Sequence, residues 1–212
     1  MLTLLLGVAE RASGEFKHDG DKRVHWAQKL STGTELVRCL IEHRKVLVLA
    51  MNGPGVGAGA AWFQGASDLF YAASGTWLQV TFNQLGLVPE CGSIVNWSQS
   101  IGHHRANEWL MFGGRATVEE LQTMGLVNQI FPKEGFHEKV HNYLKEMLME
   151  RSGASMMETK RLQARSVRDQ RVLALYDSYV ALMQRFVDGE PTVRMTAKMN
   201  ELKGERASLA CG

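Results

Sequence analysis

The chain has 212 residues, of which 45% are hydrophobic and 22% are charged, and it contains 21 glycines and 4 prolines. This length and composition are typical of one globular domain with a sizeable core. The sequence has no repeat period, and no apolar run approaches the roughly 20 residues that span a bilayer. A collagen, a disordered tail and insertion into a membrane are therefore excluded.

The charges of the chain nearly balance, because 24 lysines and arginines and 22 aspartates and glutamates give a formal net charge of +2. The basic residues are scattered and lie most densely in the last quarter, at Lys160, Arg161, Arg165, Arg168 and Arg171. Such a run on a helix is typical of a solvated face, so we expect no nucleic-acid partner.

The three cysteines, Cys39, Cys91 and Cys211, are an odd number without CxxC spacing. This usage favours a reducing compartment over a disulfide framework, so we expect an intracellular protein. The N-terminal segment Met1–Leu6 has no basic start and only a short apolar run. We therefore predict that it is part of the structure and not a signal peptide.

The first half of the chain is predicted to alternate strands and helices. Strand patterns cover Leu2–Leu6, Val46–Met51, Asp68–Ala72 and Trp77–Thr81. The second of these is apolar throughout, which predicts a strand covered on both faces. A loop over Glu10–Asp21 precedes a helix whose apolar positions recur at helical spacing: Ala27, Leu30, Thr34, Val37 and Ile41. That helix is predicted to end at the basic pair His43 and Arg44.

The second half is predicted to be mostly helical. Helix patterns cover Ser93–Ile101, Arg105–Phe112, Thr117–Met124, Phe136–Glu150, Ala154–Val167 and Arg171–Val187. Thr117 and Glu120 have the spacing of a capping box. A last strand is predicted over Leu126–Phe131, and the segment Asp188–Pro191 ends the preceding helix before a terminal one. These patterns indicate one α/β domain that carries a helical C-terminal part.

The first candidate site is the glycine-rich segment Gly53–Ala58, which fits G-x-G-x-x-A between a predicted strand and helix. A dinucleotide fingerprint also needs an acidic residue about 20 positions further on, at the end of the next strand. Asp68 comes earlier and at the start of that strand, and Pro54 removes an N–H from the turn. Three interpretations stay open: a dinucleotide site, glycines for turning and packing, and a loop whose N–H groups bind an oxygen that becomes negative during reaction.

The second candidate is His137–His141, which has the pattern H-E-x-x-H. On a helix this pattern places two imidazoles on one face for zinc, with Glu138 between them as a base. Lys139 inside the motif does not suit a buried zinc helix, and the available third ligands, Glu150 and Glu158, lie outside any partner motif. We therefore expect surface histidines and no metal.

The third candidate is Glu90, the single carboxylate in the apolar segment Leu85–Gly92. Apolar neighbours would desolvate the carboxylate and raise its pKa into the range of a general base. Pro89 would restrain the loop and Gly92 would let a ligand approach. The alternative is a surface glutamate that caps the helix beginning at Ser93.

Several motifs occur in a characteristic order: Lys45–Pro54, Gly57–Gly59, Phe70–Ala72, Leu85–Glu90, Leu110–Gly113, Gly125–Val127 and Val187–Pro191. In this order they resemble the crotonase superfamily, the enoyl-CoA hydratase/isomerase family, and within it the peroxisomal-type 3,2-enoyl-CoA isomerases. A weaker similarity lies upstream, where Leu4–Leu6 and Ala12–Lys17 resemble the strand and the first oxyanion loop of the family.

The resemblance implies an α/β fold, the crotonase (ClpP/crotonase-like) spiral of ββα units, over residues 1–135. A C-terminal helical trimerisation region would follow over residues 136–212. Members begin with additional strands that help bind the CoA nucleotide, so we expect a spiral that is short at its N-terminus. Members form trimers or dimers of trimers, which implies a homotrimer or hexamer here. The apolar residues considered for that contact are Leu173, Leu175, Val180 and Phe186.

The resemblance also implies a reaction. Hydratases of the family use two glutamates, whose positions correspond here to Ala61 and Phe82, whereas Glu90 stands where isomerases carry their single acid/base. Glu90 would move a proton from C2 to C4 of a 3-enoyl thioester and give the conjugated 2-enoyl-CoA. The acyl-CoA is the small-molecule substrate, and no metal or redox cofactor is implied.

The residues implied to contact the substrate lie on two loops. The enolate oxygen would accept backbone N–H groups of Ala58 and of either Gly14 or Glu15. Substrate-binding positions would be Gly57, Leu87, Pro89 and Cys91, where members usually carry glycine at the last of these positions.

Two alternatives to isomerisation stay open. One is a catalytically weak or inactive crotonase-fold protein that binds acyl-CoA or assembles with partners, and the other is a different acyl-CoA reaction such as hydration. The location is also open between peroxisome, which the resemblance implies, and cytoplasm, because the chain ends in Ala210–Gly212 without a Ser-Lys-Leu-type signal.

Overall fold

Two small sheets and several long helices make up the structure. The computed structural model describes residues 16–58 and 64–210, the last seven of them by their backbone. The strands in these ranges are β1 (Val48–Met51), β2 (Gly55–Val56), β3 (Leu69–Ala73), β4 (Trp77–Val80), β5 (Gly114–Thr117) and β6 (Gln129–Phe131). The helices are α1 (Asp19–Ile41), α2 (Ser93–Ile101), α3 (His103–Phe112), α4 (Val118–Thr123), α5 (Phe136–Met149), α6 (Gly153–Asp188) and α7 (Glu190–Ala210). The predicted strand Leu2–Leu6 lies outside the described residues.

The described strands form two small sheets. The first has the order β1-β3-β6 and is parallel throughout, with Ala50 opposite Tyr71 and Tyr71 opposite Gln129. The second has the order β2-β4-β5, in which β2 and β4 are parallel and β5 is antiparallel to β4. The first four strands thus go to alternate sheets, β5 joins β4 in the second sheet, and β6 returns to the first.

Strand β3 separates two apolar clusters, because successive side chains of a strand point to opposite faces. Phe70 and Ala72 belong to the main core, and Tyr71 and Ala73 pack on the other side against α5. The main core is closed by residues of β4 and of the surrounding helices, among them Leu78, Val80, Phe82, Trp97, Leu110, Leu121, Leu182 and Phe186.

The predicted strand over Val46–Met51 is shorter than expected and less covered. It spans Val48–Met51, and Val48 is 36% exposed while the other three residues are half-buried. The prediction of a strand covered on both faces is confirmed for Leu49–Met51, because Leu49 and Met51 pack against the main core and Ala50 packs against the cluster on the other side of β3. The strand predicted over Leu126–Phe131 is also shorter, since Leu126 and Val127 pack in the core before β6 begins.

The predicted helix ends and caps are largely confirmed. Helix α1 ends at Ile41, just before the basic pair, and buries Thr34 and Val37 as the spacing predicts. The Thr117 hydroxyl accepts the Glu120 N–H at 3.3 Å, and the Glu120 carboxylate accepts the Thr117 N–H at 2.8 Å. This capping box satisfies two donors at the start of α4.

The long helix α6 corrects the prediction of two helices, Ala154–Val167 and Arg171–Val187. It is one helix of 36 residues, because the intervening Arg168, Asp169 and Gln170 include no helix breaker. It ends at Gly189, whose φ of 85° is left-handed, as the predicted break requires.

Helix α6 also corrects two expectations about its side chains. The basic run is not entirely a solvated face: Lys160 is buried, and its ammonium lies 2.6 Å from both carboxylate oxygens of Asp68. Of the four residues considered for a subunit contact, Leu175 and Phe186 pack inside the chain's own core, whereas Leu173 and Val180 are exposed.

Candidate functional site

The candidate site centres on the Glu90 loop, defined as Gly86–Gly92. A 3₁₀ turn over Asn83–Leu85 follows β4, and Gly86 ends it with a left-handed φ of 71°. The Leu87 N–H then donates to the Phe82 carbonyl at 2.8 Å and Leu87 enters the core. The hydrogen bond and the burial of Leu87 therefore fix the N-terminal end of the Glu90 loop next to β4.

Glu90 is half-buried at the far end of this loop. Its backbone carbonyl accepts the Ser93 N–H at 3.0 Å, and the N-cap residue of α2 is Gly92. Glu90 is one of the residues that line a cavity of about 110 Å³ between α1, α6 and the loop. The residues that line this cavity are Lys29, Leu30, Gly33, Thr34, Glu90, Cys91, Leu175, Ser178, Tyr179 and Leu182.

The cavity brings Glu90 together with apolar and hydroxyl-bearing residues. Leu30, Leu175 and Leu182 supply the apolar lining, and Lys29 is an exposed cation of the lining. Such a mixture, a mostly apolar surface with a few polar groups, is typical of small-molecule sites. Chemically it suits a carboxylate that exchanges protons with a carbon acid.

The two helices that line the cavity are held together by side-chain contacts on both sides. The Tyr179 hydroxyl, next to the cavity, donates to the Ala27 carbonyl at 3.0 Å. Further out, the Tyr176 hydroxyl donates to the Glu35 carboxylate at 2.6 Å. That hydrogen bond lowers the pKa of Glu35 and raises the pKa of Tyr176. The separation of α1 and α6 is thereby set at the cavity.

The predicted second oxyanion loop lies at the end of β2. Gly57 extends the pairing with β4, donating its N–H to the Gln79 carbonyl at 2.9 Å. Its φ is +56°, and an added Cβ would lie 3.3 Å from the Thr81 hydroxyl oxygen. Glycine is therefore favoured twice here, because it adopts a positive φ without cost and because an added Cβ would crowd the Thr81 hydroxyl. Ala58 follows and begins a helical segment, half-buried.

The structure groups the predicted site residues unevenly. Glu90 and Cys91 line one cavity, and Pro89 lines a neighbouring apolar groove of about 520 Å³ with Val88, Ile94 and Leu173. Leu87 belongs to the core and supports the loop from beneath. Gly14, Glu15 and Ala61 lie outside the described residues.

Several residues of the cavity were missed by the sequence predictions, notably Leu30, Ser178 and Tyr179. Ser178 and Tyr179 lie nearly 90 positions from Glu90, inside a helix whose pattern is that of any amphipathic segment. Of these residues, the sequence marked Leu30 alone, as a member of the apolar stripe of α1. Such a stripe does not show whether a residue lies in the core or lines a cavity.

The H-E-x-x-H segment forms the first turns of α5, and His137 and His141 are both exposed there, as predicted. The His137 Nε2 atom lies 3.2 Å from the Asn52 side-chain nitrogen. Across residues 16–58 and 64–210, no three histidine, cysteine, aspartate or glutamate side chains are grouped to hold a metal ion. The same ranges contain no helix long and apolar enough to cross a membrane.

A family model for Enoyl-CoA hydratase/isomerase matches residues 14–189, which include the Glu90 loop, the glycine turn after β2 and all of α6. The chain belongs to the enoyl-CoA hydratase/isomerase family. The predicted resemblance is thereby confirmed.

Curated relatives within the enoyl-CoA hydratase/isomerase family include two isomerases. The chain is 37% identical to the Delta(3,5)-Delta(2,4)-dienoyl-CoA isomerase of Pyricularia oryzae over 114 residues. This matched stretch covers 53% of this chain and 40% of that relative. It is 34% identical to the peroxisomal enoyl-CoA delta isomerase 3 of Mus musculus over 111 residues. This second matched stretch covers 52% of this chain and 35% of that relative. The matched stretches thus span less than half of these relatives.

Solved structures of the enoyl-CoA hydratase/isomerase family share the fold. An enoyl-CoA hydratase from Bacillus halodurans superposes with a TM-score of 0.78 at 24% identity, over 91% of this chain and 74% of that chain. An enoyl-CoA hydratase/isomerase from Pseudoalteromonas atlantica superposes with a TM-score of 0.72 at 21% identity, over 78% of this chain and 66% of that chain. The crotonase fold with a helical C-terminal region is confirmed, while the division at residue 135 stays a prediction.

Proposed function

We propose that the chain is an acyl-CoA isomerase that converts a 3-enoyl-CoA into the conjugated 2-enoyl-CoA, with Glu90 as its acid/base. The observation that carries the proposal is that Glu90, a half-buried residue, lines a mostly apolar cavity between α1 and α6. The curated relatives named as enoyl-CoA isomerases support the same reaction class.

The proposed reaction moves one proton and one double bond. The Glu90 carboxylate takes a proton from C2 of the 3-enoyl thioester, and the electron pair of that C–H bond passes into a dienolate whose charge rests on the thioester oxygen. The Glu90 carboxylic acid then returns the proton to C4, and the double bond forms between C2 and C3. Atoms and charge balance without any redox partner, so the CoA thioester is the only organic group that the proposal requires.

The dienolate forms only if its oxygen is stabilised. We propose the N–H of Ala58, after the glycine turn, as one donor, and the N–H of Gly14 or Glu15 as the other. Each such donor contributes about 3 kcal/mol of transition-state stabilisation in other enzymes. The positive φ and close packing of Gly57 beside Thr81 fix the backbone direction immediately before Ala58.

The positions of the two hydratase glutamates favour isomerisation over hydration. They correspond to Ala61, which has no ionisable group, and to Phe82, which is buried in the main core. Water addition needs one group to deprotonate water and one to protonate the substrate carbon. A single carboxylate that returns the same proton is sufficient for the shift of a double bond.

The remaining substrate contacts are proposed from their places around the loop. Cys91 lines the cavity beside Glu90, Pro89 lines the neighbouring groove, and Gly57 precedes the oxyanion donor. Leu87 would act by supporting the loop. We also propose that the chain forms a homotrimer or hexamer. Its proposed location is the peroxisome or the cytoplasm, and the name of the mouse relative, which includes the word peroxisomal, supports the peroxisome.

A second candidate function is acyl-CoA binding without turnover. The cavity at Glu90 measures about 110 Å³, whereas small-molecule pockets commonly measure about 300–1,000 Å³. Cys91 contributes to its lining at a position where family members usually carry glycine. A site of this size must open to admit a thioester and its acyl chain.

The experiment that tests the proposal compares turnover with binding in the wild-type chain and in Glu90→Gln. We expect isomerisation of a 3-enoyl-CoA, followed as absorbance of the conjugated product, to fall by at least about a hundredfold in the variant. Glu119→Gln on the exposed surface of α4 serves as the control and retains full turnover.

The outcomes separate the two candidates. Unchanged turnover in Glu90→Gln would refute the assignment of Glu90 as the acid/base. Binding of a 2-enoyl-CoA by calorimetry without turnover of the 3-enoyl-CoA in the wild-type chain would refute isomerisation and support the binding protein.

A further inference from the structure

The chain makes an unusual turn directly after Glu90. Cys91 has φ of +59° and Gly92 has φ of +68°, so two successive residues adopt the left-handed conformation. Within the described residues, Cys91 is the only non-glycine residue with positive φ. A side chain with a Cβ adopts this conformation at a cost, and it persists only where the surroundings hold it.

Helix α6 holds the turn at close range. A Cβ added to Gly92 would lie 3.2 Å from the Leu175 backbone nitrogen and 3.3 Å from the Arg171 carbonyl oxygen. The loop backbone therefore rests directly on the helix backbone, with no room for a side chain between them.

A buried serine makes the polar contact at this place. Ser178 lies one turn beyond Leu175 on α6 and is 6% exposed. Its hydroxyl oxygen accepts the Gly92 N–H at 3.2 Å, while its own hydroxyl donates to the Ala174 carbonyl. The start of the loop is held by the same helix, because the Arg185 Nε donates to the Gly86 carbonyl at 3.2 Å. Helix α6 thus fixes both ends of the Glu90 loop.

We infer that Ser178 is a positioning residue for Glu90: its hydroxyl, by accepting the Gly92 N–H, holds the left-handed turn that aims the Glu90 carboxylate into the cavity. This inference rests on the proposed function, since it assigns a role to Ser178 through Glu90. Ser178 lines the same cavity as Glu90, so the proposed positioning contact lies beside the proposed acid/base.

Removal of the hydroxyl frees the turn without removing the acid/base. Cys91 then relaxes toward the conformations that residues with a Cβ prefer, and the neighbouring Glu90 moves with it. A displacement of about 1 Å at a catalytic group lowers the rate by as much as about a hundredfold. Glycine at position 91 adopts the left-handed conformation without cost, so it makes the turn less dependent on Ser178.

The kinetic experiment uses Ser178→Ala, Cys91→Gly and the double variant in the full chain. We expect Ser178→Ala to lower kcat for the 3-enoyl-CoA by about tenfold while KM stays within about twofold. The double variant recovers most of this loss. The control is Ser166→Ala, because Ser166 is an exposed serine of the same helix whose hydroxyl donates to the Gln163 carbonyl.

A second readout reports the turn independently of activity. With Cys39 and Cys211 replaced by serine, Cys91 is the only thiol of the chain, and its rate of reaction with a soluble disulfide reagent measures opening of the loop. We expect this rate to rise several-fold in Ser178→Ala and to stay unchanged in Ser166→Ala. Thermal unfolding of each variant establishes that the compared chains are folded.

The results decide between a positioning and a purely structural role. A fall in kcat at constant KM, rescue by Cys91→Gly and faster labelling support the inference. Unchanged kcat and unchanged labelling in a folded Ser178→Ala overturn it, as does a fall in kcat that Cys91→Gly does not relieve. If the wild-type chain has no turnover, the proposed isomerisation fails, and the labelling rate still decides whether Ser178 holds the turn.

Discussion

Replacement of Gly65 by alanine is predicted to destabilise the fold through one neighbour, Asn96 on α2. A Cβ at position 65 would lie 2.2 Å from the Asn96 side-chain nitrogen and 2.9 Å from its Cγ. Asn96 is 2% exposed, so its amide has no open space in which to move. Neither polar atom of that amide has a hydrogen-bond partner in the part of the chain that the structure describes.

The magnitude follows from two opposing effects. Overpacking of a buried site costs about 1–3 kcal/mol. Alanine in place of glycine in a helical segment returns about 0.5–1 kcal/mol. The net loss is therefore about 1–2 kcal/mol, which lowers the Tm of a chain of this size by about 2–8 °C.

Urea unfolding and thermal unfolding measure this loss, and a double-variant cycle locates its cause. Asn96→Ala removes the two nearest atoms and two buried polar groups without partners, so the pair Gly65→Ala with Asn96→Ala recovers about 1 kcal/mol. Gly20→Ala on α1 is the matched control, because a Cβ there meets no atom of the described residues within 4 Å. A Gly65→Ala chain as stable as wild type, or a double variant no more stable than Gly65→Ala, would refute the reasoning.

Two further predictions concern charges that join distant elements. Lys160→Met leaves the Asp68 carboxylate without this ion pair and lowers the free energy of unfolding by about 2 kcal/mol. The control Lys198→Met, in an exposed pair, lowers it by less than about 0.5 kcal/mol. Equal losses of unfolding free energy for the two variants, measured by urea unfolding, would contradict this prediction. The hydrogen bond from Arg168 lowers the pKa of Glu42, so its stabilisation is present above the pKa of the unfolded chain and is lost as pH falls through the lower folded value. The Tm gap between wild type and Glu42→Gln is therefore expected near pH 7 and closes below about pH 4, and a gap that persists at pH 3 would be inconsistent with it.

Local patterns in the sequence determined most of the elements. Thr117 and Glu120 predicted the start of α4 through their capping box, and the spacing Ser93–Ile101 matches the bounds of α2. Gly189 predicted the break between α6 and α7 because only glycine adopts its left-handed φ without cost. These signals lie within one or two turns of the residues that they affect, so a single sequence contains them in full.

The motif order determined the family and the place of Glu90, but tertiary contacts decided what surrounds that residue. The cavity at Glu90 is formed by α1 and α6, whose residues lie tens of positions away on either side. No periodicity in α6 distinguishes Ser178, which contacts the loop, from Ser166, which is exposed. Only packing assigns them different roles.

The length and balanced composition determined that the chain forms a core, and the helical spacing determined which stripe of α1 enters it. Tertiary structure decided that Lys160 is buried with Asp68, that α6 continues through Arg168–Gln170, and that Cys91 is held in a left-handed turn. The physical reason is the range of the forces. Caps, turns and periodicity act between neighbours in the chain, whereas burial, ion pairing and strain depend on residues that only folding brings together.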